Sequence, residues 1–328
     1  MTCEIDDALF CKSFFLMIAI IALLQEGNST LYQARYFAQK VVLQPVNAMK
    51  KVLFILFLVS FFACKRNDEL PLSDVPGRIA MQGQNSRFIQ YNIKSNDYSE
   101  LTNLKPYRWS HNGSKLAVSD YSLGHLKYSI VDANTLTEIV KLNNKDDQSI
   151  CWSPDDSEVA YIEAFDSSIV RVNLATLQKQ IIHLPGGKIY NGGIDWSPDG
   201  NSFVFIGRDD VDYTAHVCTI GADGSNFKIL NDGPFNNPRW SPDGRTIAFE
   251  YILDIYFIDS DGTNMRKAIE RAEDPCWSRD GSVLMFTYIV ELGWTSSKID
   301  IRAREIGGDH RERVVFENCG LVDWCPVE

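Results

Sequence analysis

Five histidines, at 111, 125, 183, 216 and 310, are the side chains best suited to proton transfer or metal binding near neutral pH. Their spacing matches no metal-ligand pattern. The stretch Asp259-x-Asp261-Gly262-x-Asn264 offers the carboxylate and amide oxygens that calcium takes. Its glycine stands at the fourth place, where a calcium loop needs it at the sixth, and the stretch aligns with Gly221-Ala222-Asp223-Gly224 as a hairpin turn. The hairpin and calcium readings both stay open. No HExxH, GxSxG, Walker A or dinucleotide fingerprint occurs, so no catalytic residue, metal ligand or cofactor is assigned. Of the eight cysteines, Cys319 and Cys325 lie six apart around Gly320 and are the expected disulfide. Cys151 and Cys276 each precede a tryptophan and are expected as small buried residues.

The elements that position these residues come from one repeat. Tryptophan recurs at Trp109, Trp152, Trp196, Trp240, Trp277 and Trp324, at intervals of 43, 44, 44, 37 and 47. The text around it repeats as RWSHNGSKLAV, CWSPDDSEVAY, DWSPDGNSFVF, RWSPDGRTIAF, CWSRDGSVLMF and DWCP. In Ser241-Pro242-Asp243-Gly244, proline presets one turn position and glycine relaxes another. Apolar strand signatures follow, as in Thr246 to Phe249 and Ile255 to Ile258, with further turns between them. Each period supplies four short strands, which is the arithmetic of a β-propeller blade. The 251 residues from Arg78 to Glu328 make six periods of about 42. Arg78 to Met81 supplies the strand that the last copy lacks. The sequence therefore predicts an all-β, six-bladed propeller of four-stranded blades, closed by the N-terminal strand joining the last blade. The repeat tryptophans are expected to pack between blades.

The WSPDG-x-x-IAF pattern resembles the TolB-like propeller family, with WD40-like repeats, over residues 78 to 328. Copy one departs with His111-Asn112, copy two with Asp156 and copy five with Arg279. The α/β domain that precedes the propeller of TolB has no room in residues 65 to 77. The resemblance implies a propeller that binds partner proteins of the periplasm. Related propellers front serine peptidases or act as lyases on acidic sugars.

Residues 49 to 64, MKKVLFILFLVSFFAC, combine Lys50 and Lys51 with an apolar run of twelve residues and end on Ala63-Cys64. This has signal-peptide length and is too short to span a bilayer. It resembles the signal of bacterial lipoproteins, which implies lipidation of Cys64. Phe61 and Phe62 stand where that family has Leu and a small residue. Lys65 after the cysteine implies an outer-membrane destination, facing the periplasm or the surface. Residues 1 to 48 are read as an upstream extension or leader, 49 to 63 as signal, 64 to 77 as tether and 78 to 328 as propeller.

Asp and Glu number 43 against 32 Lys and Arg, a formal charge of −11. A field of that sign repels phosphate backbones and argues against nucleic-acid partners. The leading expectation is a monomeric, exported, lipid-anchored propeller that docks a protein or peptide without catalysis. The alternative is an enzyme on a carbohydrate or small polar substrate at the central channel. Segments 183 to 194 and 290 to 298 break the repeat, and Tyr190 and Trp294 within them are the candidate interface anchors. The residues before each tryptophan run Arg108, Cys151, Asp195, Arg239, Cys276, Asp323. That order predicts two ion pairs between adjacent blades, Asp195 with Arg239 and Asp323 with Arg108.

Overall fold

Apolar alternation broken by tight turns lays each sheet down as a meander. The computed structural model describes residues 65–66, 77–83, 87–120, 128–142, 149–163, 167–185, 188–209, 214–291, 298–307 and 311–325. For 65–66, 188–192 and 209 the description is of the backbone alone. The strands form six antiparallel sheets.

Blade 1 runs Leu104–Trp109, Lys115–Asp120, Tyr128–Asp132 and Glu138–Lys141. Blade 2 runs Ile150–Trp152, Glu158–Glu163, Ser168–Asn173 and Lys179–His183. Blade 3 is Lys188–Trp196, Ser202–Asp209, Ala215–Gly221 and Lys228–Asp232. Blade 4 is Phe235–Trp240, Thr246–Tyr251, Asp254–Asp259 and Arg266–Ile269. Blade 5 is Ala272–Trp277, Val283–Glu291, Lys298–Glu305 and Glu312–Glu317. Blade 6 joins the chain ends: Gly320–Cys325 pairs with Arg78–Gln82, followed by Phe88–Asn92 and Asp97–Glu100. Ile79 lies opposite Trp324, so the ring closes as the repeat predicts. Lys65–Arg66 adds a fifth strand to the outer edge of blade 5, with Lys65 opposite Glu317. Those two residues, read from the sequence as tether, are paired backbone.

The tryptophan-bearing strand is innermost in each blade and neighbours its counterparts around the ring. Burial is split into six apolar clusters, one at each blade junction. The blade 1–2 wedge joins Tyr128 and Ile130 to Trp152, Val159 and Tyr161. The blade 6–1 wedge joins Ala80 and Cys325 to Trp109, Leu116 and Val118. Trp109, Trp152, Trp196 and Trp324 are buried, whereas Trp240 and Trp277 are partly exposed.

Two expectations are corrected here. Cys319 immediately precedes, and Cys325 ends, the strand Gly320–Cys325, with no turn between them. Six extended residues span about 20 Å, far beyond disulfide reach. Cys325 is a free thiol and Cys319 is disulfide-bonded. Since Cys151, Cys218, Cys276 and Cys325 are all free, its partner lies outside the described residues. Segment 183 to 194 is not a loop throughout, because Lys188–Trp196 is the inner strand of blade 3.

Candidate functional site

The repeat turns are built by two side chains of the motif, a serine and an aspartate, and a glycine acting together. Ser153, Ser197, Ser241 and Ser278 each donate to the aspartate two residues on, at 2.6 to 2.7 Å. The same hydroxyls accept the N–H of Glu158, Ser202, Thr246 and Val283, five residues on, at 2.9 to 3.0 Å. The aspartates in turn accept the N–H of Ser157, Asn201, Arg245 and Ser282. These hydrogen bonds favour the charged carboxylate, so Asp155, Asp199 and Asp243 titrate below the ordinary range and Asp280 falls to about 2. The glycine closing the turn has positive φ in four copies, from 69° to 75°. Glycine adopts that conformation without cost.

In copy two the glycine is Asp156, at φ 58°. Its carboxylate reaches into the turn of blade 1. It accepts the N–H of His111 at 2.7 Å and of Asn112 at 2.9 Å, and lies 3.0 Å from His111 Nδ1. His111 replaces a proline and so brings an N–H that proline lacks. The two departures from the repeat are one interaction.

Five repeat turns, together with Trp324 and Cys325 of blade 6, surround a funnel of about 630 Å³ at one end of the ring. All six repeat tryptophans line it, together with His111, Pro154, Pro198, Pro242 and Arg279 from the proline place of the turns. Arg108, Asp195, Arg239, Cys276 and Asp323, which precede five of the tryptophans, line it as well. Arg108 Nη1 pairs with Asp195 Oδ1 at 3.0 Å, and both side chains are nearly buried. Asp195 Oδ2 accepts the N–H of Trp240 at 2.8 Å, and Asp323 Oδ2 accepts that of Trp109 at 2.7 Å. Burial opposes the charge on Arg108, but Asp195 and Asp323 outweigh it and hold the guanidinium protonated. Burial also raises both carboxylates, with Arg108 pulling the other way.

The predicted ion pairs are therefore redistributed. Each aspartate does reach the next blade, as expected, but it takes the tryptophan N–H there instead of the arginine. Arg108 crosses to Asp195, two blades away. Arg239 donates Nε to Pro275 O at 3.3 Å. Register explains this. A bulge precedes Arg108, Asp195, Arg239 and Cys276, turning the strand just before the aligned tryptophan.

Tyr190 lies six residues before Trp196, with Gly207 opposite, so it belongs to the far end of the inner strand, about 20 Å from the turn. Trp294 and Cys64 lie outside the described residues. Glu291, paired with Lys298, ends its strand on the side of blade 5 opposite the turn. The sequence expectation names Tyr190, whose backbone lies away from the funnel, and does not name the funnel's His111 or Arg279 as site residues. The signal that could have found them was in view: His111 and Arg279 both replace the proline of a turn.

In the Asp259–Asn264 hairpin, Asp261 Oδ1 accepts the N–H and hydroxyl of Thr263, and Asp259 Oδ2 accepts from Asn264. Among the described residues no three His, Cys, Asp or Glu side chains group as a metal ion would need.

No family model matches the chain. Over 88 residues it is 34% identical to the Tol-Pal system protein TolB of Alcanivorax borkumensis, covering 26% of this chain and 20% of that protein. The chain therefore matches about a fifth of the length of that relative. A solved structure assigned to TolB from Agrobacterium tumefaciens superposes with a TM-score of 0.58 at 17% identity, over 76% of this chain and 95% of that one. An oligogalacturonate lyase in complex with manganese superposes with a TM-score of 0.51 at 19% identity, over 73% and 72%. The fold is shared by proteins of different activity, so it does not choose between them. The chain is a six-bladed propeller with distant homology to TolB in part of its repeat.

Proposed function

We propose that the chain is an exported binding protein of the bacterial envelope, which docks a protein or peptide on the turn end of its ring. The observation that carries this reading is the funnel, walled by five repeat turns whose carboxylates are already engaged internally. Recognition surfaces commonly sit on loops held by such a scaffold. The local identity to TolB supports the envelope setting. A photo-crosslinking residue at position 279, in the native cell, should yield a protein adduct, and one at position 291, at the far end, should not. Adducts only from position 291, with capture lost in Tyr190→Ala or Trp294→Ala, would move the partner to the aromatic rim. Absence of adducts from both would reject the binding role.

Anchoring follows from the signal-like residues 49 to 64. A lipid at Cys64 would hold the propeller to the outer membrane through residues 65 to 77. The disulfide of Cys319 bears on this, because the cysteines outside the described residues are Cys3, Cys11 and Cys64. A thioether lipid and a disulfide cannot share one sulfur. Non-reducing peptide mapping of protein from the native cell decides between them. A lipid-modified Cys64 peptide, and release from the membrane in Cys64→Ala, are the expected results. A Cys64–Cys319 peptide would remove the anchor.

A further inference from the structure

The charges that line the funnel are not equally committed. Its carboxylates all have internal partners. Asp155 is held by Ser153 and Ser157. Asp156 is held by two N–H groups and His111. Asp195 is held by Arg108 and the Trp240 N–H, and Asp323 by the Trp109 N–H and the Cys276 thiol. The cations differ. Arg108 is neutralised by Asp195. Its counterpart three blades on, Arg239, uses only Nε, and its two terminal NH₂ groups have no partner among the described residues. Arg279 is exposed at the mouth and has no partner among the described residues. His111, also at the mouth, keeps Nε2 unbonded among the described residues. Arg279 and His111 both stand where the repeat has proline; His111 also holds Asp156, while the turn itself does not require Arg279.

From this asymmetry we propose that the funnel binds an acidic peptide segment, with one carboxylate on the Arg239 guanidinium and a second near Arg279 and His111 at the mouth. The proposal rests on the protein-binding reading above and adds its chemistry. A planar guanidinium tethered at Nε presents paired N–H groups that match a carboxylate. In a chain of net charge −11, a pocket of uncommitted cations is where an anionic partner is drawn.

The test uses purified full-length protein and calorimetric titration with capped hexaglutamate, at low and at physiological salt. The expected result is saturable binding that weakens as salt rises. Arg279→Pro restores the repeat turn, so it should weaken binding several-fold and leave the melting temperature unchanged. Arg239→Gln should weaken it roughly tenfold, the scale of one lost charge-assisted hydrogen bond. Lys141→Gln, on the outer strand of blade 1, should change nothing. Absence of hexaglutamate binding at low salt, or wild-type affinity in both arginine variants, overturns the proposal. If Arg239→Gln fails to fold, Arg279→Pro alone carries the test. Trigalacturonate binding through the same arginines, at or above the affinity of hexaglutamate, also overturns it and assigns the funnel to an acidic sugar. A partner crosslinked at position 279 but indifferent to both arginines defeats this proposal and leaves the docking reading standing. Hexaglutamate binding with no crosslinked partner does the reverse.

Discussion

At the scale of single residues, the funnel lining shows how one repeat position takes on unequal tasks. Arg108, Asp195 and Asp323 are grouped in a nearly buried cluster, and each aspartate also holds the tryptophan N–H of the following blade. The net charge of the three is negative, and burial pushes both carboxylates up. Removing Arg108 would leave two buried carboxylates without a cation, so Arg108→Met should cost about 3–5 kcal/mol. Asp195→Asn keeps an acceptor for the Trp240 N–H and removes one charge. In urea unfolding, the double variant Arg108→Met with Asp195→Asn should be more stable than Arg108→Met alone. Strict additivity of the two single effects would show that the 3.0 Å pair carries no coupling. The alternation of Arg, Cys and Asp was readable in the sequence. The direction each side chain takes was not, because bulges shift the inner strands just before these residues. A bulge depends on how two strands pair, and a repeat read along one strand does not contain it.

At the scale of the element, the turn is a unit that tolerates change only in matched form. The serine, aspartate and glycine of the motif each satisfy a different backbone requirement, and in blades 1 and 2 the missing proline and the missing glycine compensate each other. Asp156→Gly relieves an unfavourable positive φ but strips acceptors from two N–H groups of blade 1. The loss outweighs the relief, and the variant should unfold about 1–2 kcal/mol more easily. Adding His111→Pro removes one of the stranded donors and should recover part of that loss. A double variant less stable than Asp156→Gly would break the pairing of the two departures. Between the turns, Trp152 fills the blade 1–2 wedge and donates Nε1 to Arg108 O of the previous blade at 3.1 Å. Trp152→Ala should cost about 3–5 kcal/mol through the cavity it leaves, measured by thermal or urea unfolding. Blade count, strand order and closure were legible because the WSPDG spacing is long-range periodicity written into local residues. The Lys65–Arg66 strand was not, since two residues carry no period. The Cys319–Cys325 expectation failed for a related reason: Gly320 reads locally as a turn, while pairing with Arg78–Gln82 draws it into a strand.

At the scale of the whole ring, blades 4, 5 and 6 are joined by a polar chain that crosses two junctions. Glu250 Oε1 accepts the N–H of Asp274 at 2.8 Å and the amide of Asn237 at 2.7 Å. Thr287 Oγ1 donates to Asp274 Oδ2 at 2.9 Å and accepts the N–H of Leu321 at 2.8 Å. Asn237 and Asp274 occupy the positive-φ places of their bulges, so strand geometry and network share the same residues. Burial raises Glu250, and burial together with the Glu250 charge raises Asp274 well above the carboxylate range. The turn aspartates are displaced the opposite way, down to about 2 at Asp280. The two sets give the ring opposite responses to acid. A carboxyl raised on folding contributes stability that is complete below its unfolded pKa and is lost as pH rises through the folded value. A carboxylate lowered on folding contributes stability that is complete above its unfolded pKa and is lost as pH falls through the folded value. Stability should therefore climb as pH falls from neutral toward the ordinary carboxylate range, then collapse below about 4, where unfolded carboxylates begin to hold protons that the turns refuse. Asp274→Asn keeps the shape of the junction and removes one raised acid, so its melting temperature should show a shallower upper slope, the rest coming from Glu250, Asp195 and Asp323, and keep the acid collapse. Asp280→Asn should leave the upper slope and soften the collapse. Melting curves of the three proteins from pH 3 to pH 8 separate these outcomes. An upper slope of undiminished steepness in Asp274→Asn would mean that Asp274 at the blade 4–5 junction takes up no proton in that range.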